Sequence, residues 1–301
     1  MVAGIGAIVL MGVLTIAMQS FQQQQFAAAK RAFFGQEHAE TLAVKARTED
    51  MFRELYQNLR TIARLPGVRA IGRHGEQFDA DAKTTVQEFY NSLAGSVPIS
   101  EFYIVPIGMD PDQLDPVTGR NQEPILTFDQ LIVGKVGGAN AAGEDHPHDE
   151  PELEETEIHE YRLMKRQLEM LAAKYPVESA FEGLGYPAVC GPQVVTCDNS
   201  LFDPAHPDDE DRSGIVYSIP FYGANGSLKG SISAVLLTPR LAAFLGDNDR
   251  AIVNAASSFA AIGVDAGGLS GAAARFKSLV EAASAPGDVL YSEVLPLQIA
   301  D

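Results

Sequence analysis

The chain opens with an unbroken apolar stretch. Residues 2–18 contain no charged side chain, and a helix of this length, at about 1.5 Å per residue, crosses most of a hydrocarbon core of about 30 Å. We expect a membrane anchor over residues 1–20. A cleaved leader peptide is the alternative, because small residues follow at 27–29, but no Lys or Arg precedes the stretch. A core helix in water is a third alternative, which the glycines within the stretch disfavour.

Helical spacing of apolar residues continues after the anchor. Phe52, Leu55, Leu59 and Ile62 recur three or four positions apart, which places them on one face of a helix. Proline cannot continue a helix, so we expect this helix to run over residues 21–65 and to end at Pro66. A long helix that leaves the membrane is typical of a signalling stalk, and we expect it to form a homodimer.

The clearest strand pattern is a β-hairpin. Along residues 215–222, the large apolar or aromatic side chains Ile, Tyr, Ile and Phe alternate with Val, Ser, Pro and Tyr, which is the period of two of a strand. The run GANG supplies the turn, and residues 228–237 return as a second strand. The same spacing rules predict helices and strands elsewhere, so the fold class is α+β with an antiparallel sheet. The further expected helices are 81–93, 158–175, 240–245 and 271–283, and the further expected strands are 102–107, 125–136, 251–254 and 290–299.

Composition narrows the class of partner. The chain has 301 residues, 46% hydrophobic and 21% charged, with a net charge of -18, which is typical of a folded protein of about two domains. Nine of the acidic side chains lie in residues 144–160, which contain no Lys or Arg. This charge argues against a nucleic-acid partner, because phosphate-binding surfaces are basic.

Two cysteines lie close together in the sequence. Cys190 and Cys197 enclose the loop GPQVVT, which is rich in turn formers and would let the two thiols meet if it folds back. We expect a structural disulfide, formed in an oxidising compartment. A two-thiolate half of a metal site is the alternative, but no second cysteine pair accompanies it.

Several segments together resemble a known family. They are the stalk end NLRTIARLPGVRAI (58–71), the strand EFYIVP (101–106), the hairpin VYSIPFYGANGSLKGSISAVLLT (216–238) and the final LYSEVLPLQIAD (290–301). This combination resembles the extracytoplasmic Cache sensor domains of bacterial transmembrane signalling proteins, of the diguanylate cyclase (GGDEF) or histidine kinase class. The resemblance covers about residues 53–301.

The resemblance implies a domain organisation and a location. It implies PAS-like modules of the double Cache type: a membrane-distal module at 66–238 and a truncated membrane-proximal module at 239–301, after an anchor at 1–20 and a stalk at 21–65. The bulk of the chain would be periplasmic and anchored in the inner membrane. A small-molecule ligand would bind the distal module, between the sheet and its covering loops, and would act on an output domain that this chain lacks.

Polar residues within apolar strands are the first candidates for ligand contacts, since pockets are mostly apolar with a few placed polar groups. Each of them is also an ordinary choice for a buried or edge position. The candidate set is Tyr103, Asp129, Arg162, Tyr217, Ser218 and Ser233. No amino-acid-binding or amine-binding motif of the family is present, so the ligand class stays open.

Metal sites and catalysis have weaker support. His146, His148 and Asp149 have the side chains of a zinc-type site, although a solvated acidic loop is the favoured explanation for them. The run DPAHPDDEDRSG (203–214) lacks the ligand spacing of a calcium-binding EF-hand loop. No catalytic or cofactor motif is found, so we expect no catalytic residue and no cofactor. An exported hydrolase or solute-binding protein and a ligand-free interaction protein are the alternatives.

Overall fold

The computed structural model describes residues 2–129, 151–181, 185–196, 212–245 and 295–300. The chain divides into two compact units, one of residues 1–46 with 284–296 and the other of residues 47–283 with 297–301. All strands belong to the second unit. The division at 20, 65 and 238 that the sequence suggests stays a prediction.

The first element is one long helix, α1 (Val2–Ala63), as the spacing of its apolar residues predicts. In the second unit its buried face includes Phe52, Leu55, Leu59 and Ile62, each at most 1% exposed. Pro66 begins the short α2 (Pro66–Ala70) after Leu65 turns to an extended conformation, because the residue before a proline is disfavoured in the α region. In the part of the chain that the structure describes, no helix combines the length and the apolarity needed to span a membrane.

Helix α3 (Ala80–Leu93) follows and matches its predicted position. The Asp79 side chain accepts a hydrogen bond from the Ala82 amide at 2.8 Å, which satisfies one of the free N–H groups of the first turn. The helix buries Val86, Tyr90 and Leu93. The Tyr90 hydroxyl donates to the Ser100 carbonyl at 2.8 Å and so joins α3 to the first strand.

The core of the second unit is a five-stranded antiparallel sheet in the order β2-β1-β5-β4-β3. The α+β class and the long N-terminal helix are thus confirmed. The strands are β1 (Ile99–Pro106), β2 (Ile125–Asp129), β3 (Val189–Val195), β4 (Ser213–Tyr222) and β5 (Leu228–Leu237). Strand β1 starts three residues before its predicted position, directly after Pro98.

The predicted hairpin is confirmed as β4 and β5. Its turn is closed by hydrogen bonds between Gly223 and Ser227, and Gly226 adopts a positive φ of 75°, which glycine reaches without strain. Gly230 serves another purpose. A Cβ atom there would clash with the Val105 carbonyl oxygen of β1, so the close approach of β1 and β5 requires glycine.

Helix α4 (Pro151–Lys174) covers one face of the sheet. It begins seven residues before the predicted 158, because the acidic stretch is itself helix-compatible and Pro151 suits the first position of a helix. A short 3-10 helix (Glu178–Phe181) follows. The last described helix, α5 (Thr238–Leu245), starts two residues before the predicted 240, and the Thr238 hydroxyl donates to the Ser213 carbonyl at 2.9 Å.

The predicted disulfide loop is wrong, because its residues form strand β3. Cys190 pairs with Tyr217 of β4, and the Thr196 amide still donates to the Arg212 carbonyl at 2.9 Å. A strand advances by about 3.3 Å per residue, so this segment does not fold back on itself as a loop. Cys197, the predicted partner of Cys190, lies outside the described residues. The described residues contain no disulfide. Pro192 is tolerated because β3 is an edge strand whose pairing skips between Cys190 and Gln193.

The end of the chain also differs from the expectation. Residues 295–300 are not in a strand. Within the second unit, the Gln298 amide donates to Glu49 at 2.8 Å, and the Ile299 carbonyl accepts from Tyr217 at 2.7 Å. The elements predicted at 251–254 and 271–283 lie outside the described residues.

Candidate functional site

The two faces of the sheet pack against different helices. Successive residues of a strand point to opposite faces, so Tyr217 of β4 contacts Phe52 of α1, with ring centroids 5.5 Å apart, and Val216 and Ser218 face α4. An apolar cluster joins the sheet to α4. Its fully buried members are Tyr103, Val105, Met109, Leu163, Met164, Leu168, Val216 and Val235.

A polar network lies within this apolar layer. Ser218 Oγ donates to Gln167 Oε1 at 2.6 Å and lies 2.7 Å from Ser233 Oγ. Gln167 Nε2 donates to the Val216 carbonyl at 2.9 Å. Because the Ser218 proton goes to Gln167, Ser233 must be the donor in the serine pair. All of these side chains are at most 1% exposed, so the network fixes α4 on the sheet.

Ser231 is a further buried serine on the same face. It lies two residues before Ser233 on β5 and opposite Pro220 and Val105 on the neighbouring strands. Its side chain is 0% exposed, and its hydroxyl has no hydrogen-bond partner among the described residues. Leaving such a group unpaired costs about 1–3 kcal/mol.

Buried carboxylates adjoin the layer. Glu101 of β1 is 1% exposed, and the Tyr103 hydroxyl donates to its Oε2 at 3.1 Å. The Tyr103 ring meets the edge of Tyr161 of α4, with centroids 6.1 Å apart. Glu160 of α4 is 0% exposed and lies one helical turn before Met164. Charged groups are rarely buried away from water unless something nearby compensates them.

Three of the predicted contact residues therefore lie together, and three do not join them. Tyr103, Ser218 and Ser233 share the α4 face, with Tyr103 and Ser233 directly opposite in register. Tyr217 faces α1, and only the backbone of Asp129 is described, where it pairs with Glu101. Arg162 is exposed on α4 and donates to Asp112 at 2.6 and 2.9 Å.

The contact of Arg162 is one of two ion pairs between α4 and the loop after β1. Lys165 Nζ lies 2.9 Å from Asp110 Oδ2. The hydrogen bond from Lys165 holds the pKa of the Asp110 carboxyl below its usual range, and the bond to Asp112 raises the pKa of Arg162. These residues fasten the loop to the outside of α4, so Arg162 holds structure and does not reach the buried layer.

The remaining candidates lie elsewhere. His146, His148 and Asp149 are outside the described residues, and so is most of the 203–214 run. Within the described ranges, no three metal-type side chains converge. Cys190 is a thiol whose pKa is raised to about 12 by burial, which suppresses the reactive thiolate form.

The candidate set from the sequence does not include Ser231, Glu101 or Gln167. The strand period points to Ser231, because residues i and i+2 of a strand share a face and Ser233 is a candidate. Glu101 bears the same relation to Tyr103. Gln167 meets Ser218 across 51 residues of sequence, and no local pattern signals such a contact.

Comparison with known proteins finds solved structures only. No family model matches the chain, and no curated protein matches it. One similar structure is the ligand-binding domain of the Pseudomonas aeruginosa PAO1 amino acid chemoreceptor PctC in complex with GABA, at 10% identity and a TM-score of 0.39, covering 76% of this chain and 75% of that chain. Another is the ligand-binding domain of the Campylobacter jejuni chemoreceptor Tlp3 with L-valine, at 12% identity and a TM-score of 0.42, covering 77% and 71%.

A third similar structure is the extracellular domain of soHK1S-Z6, assigned as a histidine kinase. It matches at 12% identity and a TM-score of 0.44, covering 86% of this chain and 82% of that chain. The first two are ligand-binding domains of chemoreceptors, and the third is an extracellular domain of a histidine kinase. With identities and scores this low, the function proposed next rests on the residues of this chain.

Proposed function

We propose that this chain is a ligand-sensing domain of a membrane-bound signalling protein, and that a small molecule binds on the α4 face of its sheet. The observation that supports this most directly is Ser231, a buried hydroxyl without a partner among the described residues. It lies beside the Ser218–Ser233 pair and near the Tyr103–Glu101 hydrogen bond. Buried polar groups are nearly always paired, so an unpaired one needs an explanation, and a ligand contact is ours.

Binding in this layer requires α4 to move. The buried residues with which α4 contacts the sheet, among them Met164, Gln167 and Leu168, are at most 3% exposed, so Ser231 is closed to solvent in this arrangement. A ligand that reaches Ser231 must bind a second arrangement in which α4 has shifted. The ligand must prefer one arrangement, because equal affinity for both would shift nothing.

Strand β4 connects this layer to α1. Ser218 points to α4, and its neighbour Tyr217 points to Phe52 of α1. The Tyr217 hydroxyl also bonds the Ile299 carbonyl. A displacement of β4 by the ligand would therefore change the packing of α1 and of the segment 297–300.

The membrane setting belongs to this proposal. The apolar residues 2–18 and the resemblance to Cache domains support an inner-membrane anchor, a periplasmic location and a homodimer through α1. The same resemblance supports the double Cache type and an output domain of the diguanylate cyclase or histidine kinase class.

Hydrogen exchange, read by mass spectrometry, tests the proposal. The 301-residue chain in non-ionic detergent is compared with and without amino acids, carboxylates, amines and divalent metals. We expect one class to change exchange in α4 and β5 while α3, which packs elsewhere, stays unchanged. If every class leaves α4 and β5 unchanged in a folded sample, the proposal is wrong.

A further inference from the structure

A groove runs along the C-terminal part of α1, on the side of the unit away from α4. Its volume is about 530 Å³, within the range of about 300–1,000 Å³ usual for small-molecule sites. One wall belongs to α1 and the other to the segment before β3. The lining residues are Arg53, Tyr56, Gln57, Arg60, Thr61, Arg64, Gly185 and Tyr186.

The groove is cationic in a strongly acidic protein. Among the described residues that line it, three are arginines and none is a carboxylate, although the chain has a net charge of -18. Arg53 and Arg60 are seven residues apart and lie along one side of α1, and Arg64 follows directly after Ala63, the last residue of the helix.

The first arginine is held in place by both walls. Arg53 Nε donates to the Tyr186 hydroxyl at 2.8 Å, and Arg53 also binds Asp50. The Tyr186 ring meets Tyr56 edge-on, with centroids 5.3 Å apart. The hydrogen bond to Tyr186 raises the pKa of Arg53, so the charge persists at any physiological pH.

At the far end of the groove, the positive charge of Arg64 has no counter-charge among the described residues. Arg69 lies beyond it and binds Glu178 at 3.1 Å and the Gly223 carbonyl at 2.6 Å. Arg64 lies between Arg60 and Arg69 in sequence, is exposed, and its guanidinium forms no hydrogen bond or ion pair with the described residues. Its donors are therefore available to a ligand.

We propose that this groove binds a small oxyanion with two or more negative charges, either a phosphate compound or a polycarboxylate. Guanidinium groups bind both by paired, charge-assisted hydrogen bonds. Gln57 adds a neutral donor between the arginines, since the Thr61 hydroxyl already donates to the Gln57 carbonyl at 2.8 Å, and the rings of Tyr56 and Tyr186 supply apolar surface for a carbon skeleton. This site is separate from the α4 face, so it stands or falls independently of the function proposed above.

Calorimetric titration tests the site with two probes, inorganic phosphate and citrate, on the 301-residue chain in non-ionic detergent at fixed ionic strength. We expect at least one probe to bind and Arg64→Gln to weaken its affinity at least about tenfold, as loss of a charge-assisted hydrogen bond implies. Arg120→Gln is the matched control. It removes the same charge from a residue 68% exposed outside the groove, and we expect an affinity within about twofold of the original.

The outcomes separate the alternatives. Binding of citrate alone indicates a polycarboxylate site, and binding of phosphate indicates that the phosphate group suffices. Equal losses in Arg64→Gln and Arg120→Gln would overturn the proposal, since they would reflect net charge and not the groove. Absence of binding by both probes would overturn it too. Equal unfolding midpoints of the two variants without anion verify that Arg64→Gln leaves the fold intact.

Discussion

Replacement by alanine should change the free energy of unfolding in opposite directions at two buried serines of the α4 face. Ser231→Ala removes a hydroxyl that is 0% exposed and has no partner among the described residues. Because an unpaired buried group costs about 1–3 kcal/mol, and the alanine leaves only an oxygen-sized gap, we expect the free energy of unfolding to rise by about 1 kcal/mol. Ser218→Ala instead leaves Gln167 Oε1 and Ser233 Oγ without their partner, so we expect a loss of about 1–3 kcal/mol.

The assay is urea unfolding of both variants and the parent, followed by circular dichroism. The slope m should stay the same in all three, so that midpoints report stability alone. A loss of about 1 kcal/mol or more in Ser231→Ala, equal to that in Ser218→Ala, would refute the reasoning. It would mean that the Ser231 hydroxyl is satisfied in solution.

Two further predictions follow from close packing and burial. Gly230→Ala should lower the free energy of unfolding by about 1–3 kcal/mol in the same urea assay, because the new Cβ atom would clash with the Val105 carbonyl and overpacking of this kind is destabilising. A neutral result would show that β1 and β5 can separate without cost. Burial raises the pKa of the Cys190 thiol to about 12, above an unperturbed value of about 8.5. In a Cys197→Ser variant at pH 8, we therefore expect Cys190 to react with iodoacetamide at least about tenfold more slowly in the folded protein than in the protein unfolded by urea. Equal rates would contradict that pKa.

Local chemistry explains which parts of the fold the sequence predicts well. The β4–β5 hairpin follows from the period-two pattern of side chains in residues 215–222 and from the glycine-rich turn after them, and both lie within 25 residues of sequence. Strand β3 was missed because Gly191 and Pro192 are typical of turns. An edge strand tolerates both, since a bulge skips them in the pairing with β4, and edge position is a property of the whole sheet.

The ligand contacts predicted from the sequence stay predictions. Ser218 and Ser233 lie together on one face of the sheet, and alternation along β4 puts Tyr217 on the other, since neighbours in a strand face opposite sides. Arg162 binds Asp112, which lies 50 residues away, and no local pattern signals such a contact. The arginine groove needs both α1 and Tyr186, which no local pattern brings together.

The most direct test of the sensing account is a thermal unfolding screen of the parent and Ser231→Ala against amino acids, carboxylates, amines and divalent metals. We expect one class to raise the parent's midpoint with increasing concentration, since binding stabilises the folded state, and to raise that of Ser231→Ala far less. Ser227→Ala, which removes an exposed hydroxyl in the hairpin turn, should respond like the parent. A shift that survives in Ser231→Ala but vanishes in Arg64→Gln would assign the ligand to the α1 groove. No shift from any class, or equal shifts in parent, Ser231→Ala and Arg64→Gln, would contradict ligand sensing at the α4 face.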